Sequence, residues 1–129
     1  MRVVWIVLLL CVWGTGAWAE EKAEKEDPLY AGRDLLDGPE REKGIELLRK
    51  VIADGAAAPK DAKKQQRAGR AHMYLDENEE AMAAMERAVT LEPENARYAF
   101  WLGAAALPVD VDKSIASFER ATTLDPKGA

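Results

Sequence analysis

Three glycines recur in a fixed register along this chain, and each stands 15 or 16 residues before a large apolar residue. The pairs are Gly32 with Leu48, Gly69 with Met85, and Gly103 with Phe118. Residues four before and three after each apolar partner also correspond: Gly44 and Val51, Ala81 and Ala88, Ser114 and Ala121. Small residues on facing stripes let two helices approach to roughly 8 Å, while the large side chains fill the gaps. The register therefore predicts three stacked copies of one helical hairpin.

The segments between these glycines carry apolar residues at spacings of three and four, which is typical of amphipathic helices. β-Branched residues never alternate over a run of four, so no strand is expected. Six helices are predicted from capping and breaking residues. They run from Pro28 to Gly38-Pro39, from about Glu40 to Gly55, from Ala62 to Leu75, from an Asn78 N-cap to Pro93, from an Asn95 N-cap to about Ala106, and from about Val111 to Pro126. The predicted fold class is all-α.

Residues 1–19 are predicted to be a secretory signal peptide. Arg2 supplies the positive start, residues 3–13 form an apolar stretch, and Ala17-Trp18-Ala19 fits a cleavage pattern. An uncleaved anchor is the alternative, but the stretch is shorter than the roughly 20 residues that span hydrocarbon, and two glycines interrupt it. Cys11 does not fit a lipoprotein site because Leu10 is not small. We therefore expect a periplasmic or secreted protein without a membrane span after cleavage.

Composition excludes several classes of protein. The 110 residues after the signal peptide suffice for one domain and are too few for a two-domain enzyme. Loss of Arg2 moves the net charge from −5 to −6, and no long basic tract exists, so nucleic-acid binding is not expected. The only cysteine leaves with the signal peptide, so no disulfide is expected. Residues 20–27 are predicted to be a charged tether.

With its glycines and small residues spaced in this way, the sequence resembles the tetratricopeptide repeat family. The unit of that family has about 34 residues and combines W-x2-L-G-x2-Y, A-x3-F-x2-A and a late proline. The second unit matches at Ala68-Gly69, Ala81, Met85, Ala88 and Leu91-Glu92-Pro93, and the third at Leu102-Gly103, Ile115, Phe118, Ala121 and Leu124-Asp125-Pro126. The first unit lacks the proline. The resemblance implies an α-solenoid of three hairpins over residues 28–126, with units at about 28–58, 62–93 and 95–126.

No catalytic or metal-binding motif is found. His72 is the only histidine. It stands at the position of the tyrosine in the family's W-x2-L-G-x2-Y pattern, so we expect it to pack between helices. Carboxylate pairs lie at turns and helix starts, where the helix dipole and solvent explain them. Met82 and Met85 stand on the packed stripe and are expected to be core residues rather than soft-metal ligands. We expect no enzyme activity and no cofactor.

The resemblance also implies a binding groove, because the first helices of successive units line a concave surface in this family. The residues expected to face it are Tyr30, Arg33, Lys63, Gln66, Arg70, Tyr74, Arg97 and Phe100, with Trp101 at the edge. Guanidinium and amide groups clamp carboxylates, and flat rings hold apolar side chains. The predicted function is a non-catalytic adaptor that captures an acidic or C-terminal peptide, or a helix, of a partner protein.

The last unit offers an alternative. No extra polar helix follows Pro126 in this sequence, although stacks of repeats usually end in one. The last helix could tolerate exposure through Ser117, Arg120 and Thr123, or it could dock on a second copy or a partner. The alternative function is therefore a structural or self-assembling subunit of an envelope complex.

Overall fold

A computed structural model describes residues 27–128. The predicted signal peptide, and the predicted tether up to residue 26, lie outside the described residues. The described residues form six α-helices and no strand: α1 Pro28–Leu35, α2 Arg41–Ala57, α3 Ala62–Tyr74, α4 Asn78–Leu91, α5 Ala96–Ala106 and α6 Val111–Leu124. The predicted all-α class and the count of six helices are confirmed for this part of the chain. No helix within it is long and apolar enough to cross a membrane.

The helices pair as three antiparallel hairpins, α1 with α2, α3 with α4, and α5 with α6. The first helix of each later hairpin packs against the second helix of the hairpin before it, as α3 does on α2 and α5 on α4. The first helices also touch one another in sequence, so α1, α3 and α5 share one surface. The hairpins stack as the units of a helical solenoid.

The recurring glycines lie where the two helices of a hairpin cross. A Cβ atom at Gly69 would stand 2.8 Å from Cε of Met85, and one at Gly103 would stand 2.8 Å from the Phe118 ring. In the first hairpin, a Cβ at Gly32 would meet Leu48 at 2.8 Å. The register therefore marks the close contact between the two helices of each hairpin, and each large residue packs directly on its glycine.

The prediction that α2 ends at Gly55 is wrong. The helix continues to Ala57, and Gly55 is buried where α2 crosses α3. A Cβ at Gly55 would come within 2.7 Å of the Ala68 Cβ. Gln65 fixes the same crossing, because its buried amide donates to the Gly55 carbonyl at 2.7 Å and the Ala58 carbonyl at 3.0 Å. Gly55 is a point of close approach rather than a helix terminator.

Three of the proposed helix starts carry side-chain caps: Asp27 accepts from Leu29 N, Asp61 from Lys64 N, and Asn95 from Arg97 N and Tyr98 N. The N-cap predicted at Asn78 is wrong, since Asn78 is already helical and follows Glu77. Glu77 makes no cap bond because its carboxylate is bound elsewhere. Oε1 of Glu77 lies 3.0 Å from Nδ1 of His72, and both carboxylate oxygens accept from Arg49 of α2. This contact joins the first two hairpins.

Candidate functional site at the surface of the first helices

Arg70 of α3 lies at the centre of the surface that the first helices share. Its side chain is 8% exposed and reaches toward both neighbouring hairpins. Nη1 donates to the Tyr30 hydroxyl of α1 at 3.3 Å, and Nη2 donates to the Tyr74 hydroxyl, one turn along α3, at 3.1 Å. Two phenol groups therefore hold the guanidinium in place from one side.

Aromatic rings face the same guanidinium. Its central carbon lies 4.6 Å from the ring centroid of Trp101 on α5 and 5.3 Å from that of Tyr30 on α1. Arg33 approaches the Tyr30 ring at the same distance, 5.3 Å. Both distances suit a cation–π interaction. We name Tyr30, Arg33, Arg70, Tyr74 and Trp101 the Arg70 cluster; it takes residues from all three hairpins.

Arg70 makes no ion pair within residues 27–128, although other arginines of this region do. Arg33 is bound to Asp34 at 2.8 Å, and Arg67 is bound to Asp27. The buried Nε atom of Arg70 has no hydrogen-bond partner among the described residues. Burial opposes the charged form of Arg70, but the bonds to Tyr30 and Tyr74 outweigh it and raise the pKa of the guanidinium. Among residues 27–128, Arg70 is thus a buried positive charge that forms no ion pair with a carboxylate.

Such a group suits an anionic ligand. A guanidinium and a carboxylate form short hydrogen bonds between opposite charges, often two in parallel, whereas a phenol oxygen is a neutral acceptor. A carboxylate arriving at Arg70 can therefore replace Tyr30 or Tyr74 as the acceptor, and the low dielectric of the site strengthens the attraction. The adjoining rings offer flat apolar area for the rest of the ligand.

A second part of the surface extends from Trp101 along α5. The centroid of the Phe100 ring lies 5.7 Å from that of Trp101 and 5.5 Å from that of Phe118 of α6. Phe100 is 49% exposed. These rings and Arg97 line an open cavity of about 640 Å³, together with Thr122 and Asp125 of α6. The groove predicted from the sequence contains no α6 residue, because only first helices are expected to line it.

The structure brings only part of the predicted groove together. Tyr30, Arg33, Arg70, Tyr74 and Trp101 meet in one cluster, while Arg97 and Phe100 lie at the neighbouring cavity. No hydrogen bond or ion pair of the described residues joins Lys63 or Gln66 to either place. Lys63 is exposed and Gln66 is buried.

His72 is partly buried, and its ring contacts the carboxylate of Glu77. Within residues 27–128, no group of three or more histidine, cysteine, aspartate or glutamate side chains is placed to hold a metal ion.

Comparisons with known proteins agree with this architecture. Residues 65–95, from α3 through α4 to the next loop, match the family described as Tetratricopeptide repeat. No curated protein sequence matches the chain significantly. Among solved structures, the crystal structure of MamA, a tetratricopeptide-repeat protein, matches with a TM-score of 0.56 and 26% sequence identity. The match covers 82% of this chain and 64% of the MamA chain, so this chain spans less than two thirds of the MamA length.

The family match lies on the hairpin that carries the Gly69–Met85 contact, and the likeness to MamA extends over the three hairpins. The same glycine contact recurs in the first and third hairpins. These findings identify residues 65–95 as a tetratricopeptide repeat, and the described residues form an all-helical solenoid similar to MamA.

Proposed function

We propose that this protein is a non-catalytic interaction module that captures an anionic segment of a partner protein at the Arg70 cluster. The tetratricopeptide repeat itself suggests protein–protein interaction. The observation that carries the finer proposal is the buried charge of Arg70, which has no ion pair among residues 27–128 and is surrounded by rings from three hairpins. Natural proteins seldom bury a charged side chain without a partner of opposite charge.

The ligand we propose is a C-terminal carboxylate or an acidic side chain followed by apolar residues. The carboxylate would bind Arg70, and the apolar residues would lie on Trp101 and Phe100 toward the cavity beside α6. Arg97 stands at that cavity and adds a second positive charge. A neutral or basic peptide lacks the group that Arg70 attracts.

The test uses residues 20–129, which include every described helix, and the fluorescence of Trp101, the only tryptophan in that range. The probe is a short peptide with two acidic residues, a phenylalanine and a free C-terminal carboxylate. Its partner probe has Asn and Gln at the acidic positions and a C-terminal amide. We expect saturable binding of the acidic peptide, and at least tenfold weaker binding of the neutral one.

Matched variants separate a specific site from general charge attraction. Arg70→Met removes the buried charge, whereas Lys60→Met removes one exposed charge in the loop between α2 and α3. We expect Arg70→Met to weaken binding of the acidic peptide at least tenfold, and Lys60→Met to change it less than twofold. Equal losses in both variants, or equal binding of both peptides, would contradict the proposal.

We also propose that the chain acts outside the cytoplasm, on the strength of the signal-peptide pattern in residues 1–19. Mass spectrometry of the protein recovered from its native cell should find a chain that begins at Glu20. Recovery of a chain that still contains residues 1–19 in the membrane fraction would instead support the uncleaved anchor.

A further inference from the structure

Each hairpin has an outward face built from equivalent residues, counted from its glycine. In the first hairpin these residues are Leu29, Leu36, Ile45, Leu48 and Ile52; in the second they are Gln66, Met73, Met82, Met85 and Val89. Both faces are covered by the first helix of the next hairpin. Ala71 of α3 packs among Leu29, Leu48 and Val51, and Ala105 of α5 packs beside Met85.

The equivalent face of the third hairpin is uncovered within the described residues. It consists of Phe100, Leu107, Ile115, Phe118 and Thr122, which we name the end face. Leu107 is 56% exposed and Ile115 is 52% exposed, whereas their counterparts Met73 and Met82 pack against the core. Of the six exposed large apolar side chains in residues 27–128, five belong to the third hairpin. Apolar surface concentrated in this way marks an interaction site.

Charges of both signs border the end face. Arg97 and Asp125 line its cavity, and Glu119 follows Phe118 on α6. The residue equivalent to Glu119 in the second hairpin is Glu86, which pairs with Lys113 of the next hairpin. Glu119 has no ion pair within the described residues. A partner surface that presents a cation near Glu119 and an anion near Arg97 is therefore favoured.

The opposite end of the same molecule is a poor partner for this face. In a head-to-tail stack, α1 of a second copy would occupy the place that α3 and α5 occupy on the first and second hairpins. Asp34 is the residue of α1 that corresponds to Ala71 of α3 and Ala105 of α5, both of which are buried against the preceding hairpin. In such a stack Asp34 would occupy the same buried position. A carboxylate in that apolar position is costly to desolvate, so continuous head-to-tail assembly is disfavoured.

We propose that two copies of this chain pair through their end faces about a two-fold axis. The face is apolar at its centre and carries both charge signs at its border, so a second copy supplies complementary groups: Arg97 of one copy can meet Glu119 or Asp125 of the other. Two helices of 11 and 14 residues present an area of roughly 20 by 20 Å per copy. An interface of about 800 Å² in total lies below the usual range of stable complexes, so the dimer is weak. Of the Arg70 cluster, Trp101 lines the cavity beside this face, so the dimer covers the Phe100 surface that the proposed peptide also uses.

The test measures the mass of residues 20–129 by sedimentation equilibrium from about 10 µM to about 1 mM, a range suited to weak association. We expect a reversible rise from the mass of one chain toward that of two. Two substitutions on the end face, Ile115→Glu and Leu107→Lys, should each shift the midpoint at least tenfold to higher concentration. Leu91→Lys changes an exposed large apolar residue outside the end face, and it should leave the midpoint unchanged within twofold.

Three outcomes would overturn the proposal. The first is a single-chain mass at every concentration for the unchanged protein. The second is dimerisation of Ile115→Glu and Leu107→Lys as strong as that of the unchanged protein, with helical circular dichroism retained. The third is growth of the mass beyond two chains, since a two-fold pair closes and a head-to-tail contact does not.

Discussion

The guanidinium of Arg70 lies 4.6 Å from the ring centroid of Trp101, so a residue of the second hairpin and one of the third form a single recognition surface. The side chains are 31 positions apart in the sequence, and packing of α5 on α4 brings them together. The same guanidinium bonds to Tyr30, 40 positions earlier. A site made in this way depends on the relative placement of all three hairpins.

Arg70 should contribute to binding rather than to stability. A buried ionic group replaced by an apolar one of similar volume often leaves a protein equally stable or more stable, because the desolvation cost disappears. We expect Arg70→Met to leave the free energy of unfolding within about 1 kcal/mol of the original value, or to raise it. Urea denaturation followed by circular dichroism measures this change. A loss of more than about 2 kcal/mol would assign Arg70 a structural role.

The repeated glycines should differ in their tolerance of alanine. At Gly44 a Cβ would lie 2.8 Å from the backbone carbonyl oxygen of Gly32, which cannot move without shifting α1. At Gly69 it would meet the flexible end of Met85. We expect Gly44→Ala to lower the free energy of unfolding by about 1–3 kcal/mol, because overpacking exceeds the gain in helix propensity. Gly69→Ala should stay within about 1 kcal/mol of the original protein, since the propensity gain offsets a small shift of Met85. Thermal denaturation of the pair gives the comparison, and an equal loss at both sites would contradict it.

Gln65 should be important for stability although it is polar. Its amide nitrogen binds the carbonyls of Gly55 and Ala58, and its oxygen accepts from Nε of Arg87 at 2.8 Å. Gln65→Leu would leave the carbonyls of Gly55, in α2, and of Ala58, just after it, without this donor, which we expect to cost about 1–3 kcal/mol of unfolding free energy. Gln66→Leu is the matched control at a neighbouring buried position without such bonds among the described residues, and it should cost less. Chemical denaturation curves of the two variants test the difference.

The contact between the first two hairpins should weaken in acid. The hydrogen bonds from Arg49, and the nearby His72, hold the pKa of Glu77 below its usual value despite some burial. A carboxyl group whose pKa is lower in the folded state stabilises the fold above its unfolded pKa, and that contribution is lost as the pH falls through the folded pKa. The free energy of unfolding should therefore decrease from about pH 5 downward.

The variant Glu77→Gln isolates this contribution. It keeps the shape of the side chain but cannot titrate, so its stability should decrease less than that of the original protein over the same interval. Denaturation curves at pH 7 and at successively lower values supply the comparison. Parallel decreases in the two proteins would show that Glu77 does not contribute to the acid sensitivity.

The amino-acid sequence alone predicts the all-helical class, the six helices and the place where the two helices of each hairpin cross. A glycine repeated at 15 or 16 residues from a large apolar residue encodes a local contact, because both residues belong to one hairpin. The sequence predicts helix ends poorly where one residue type suits two positions. Its pattern predicts that Gly55 ends α2, but contact with Ala68 keeps this glycine inside the helix. It also predicts an N-cap at Asn78, which is the first residue of α4.

The tertiary structure decided which polar residues form a site and which face remains apolar and exposed. Nothing near Arg70 in the sequence indicates that it is 8% exposed and bound to Tyr30, since that environment comes from helices α1 and α5. In the same way, Ile115 and its counterpart Met82 have the same pattern in sequence, yet only Met82 packs beneath a following helix. Periodicity fixes which side of a helix is apolar, whereas burial and pairing depend on the distant segments that pack against that side.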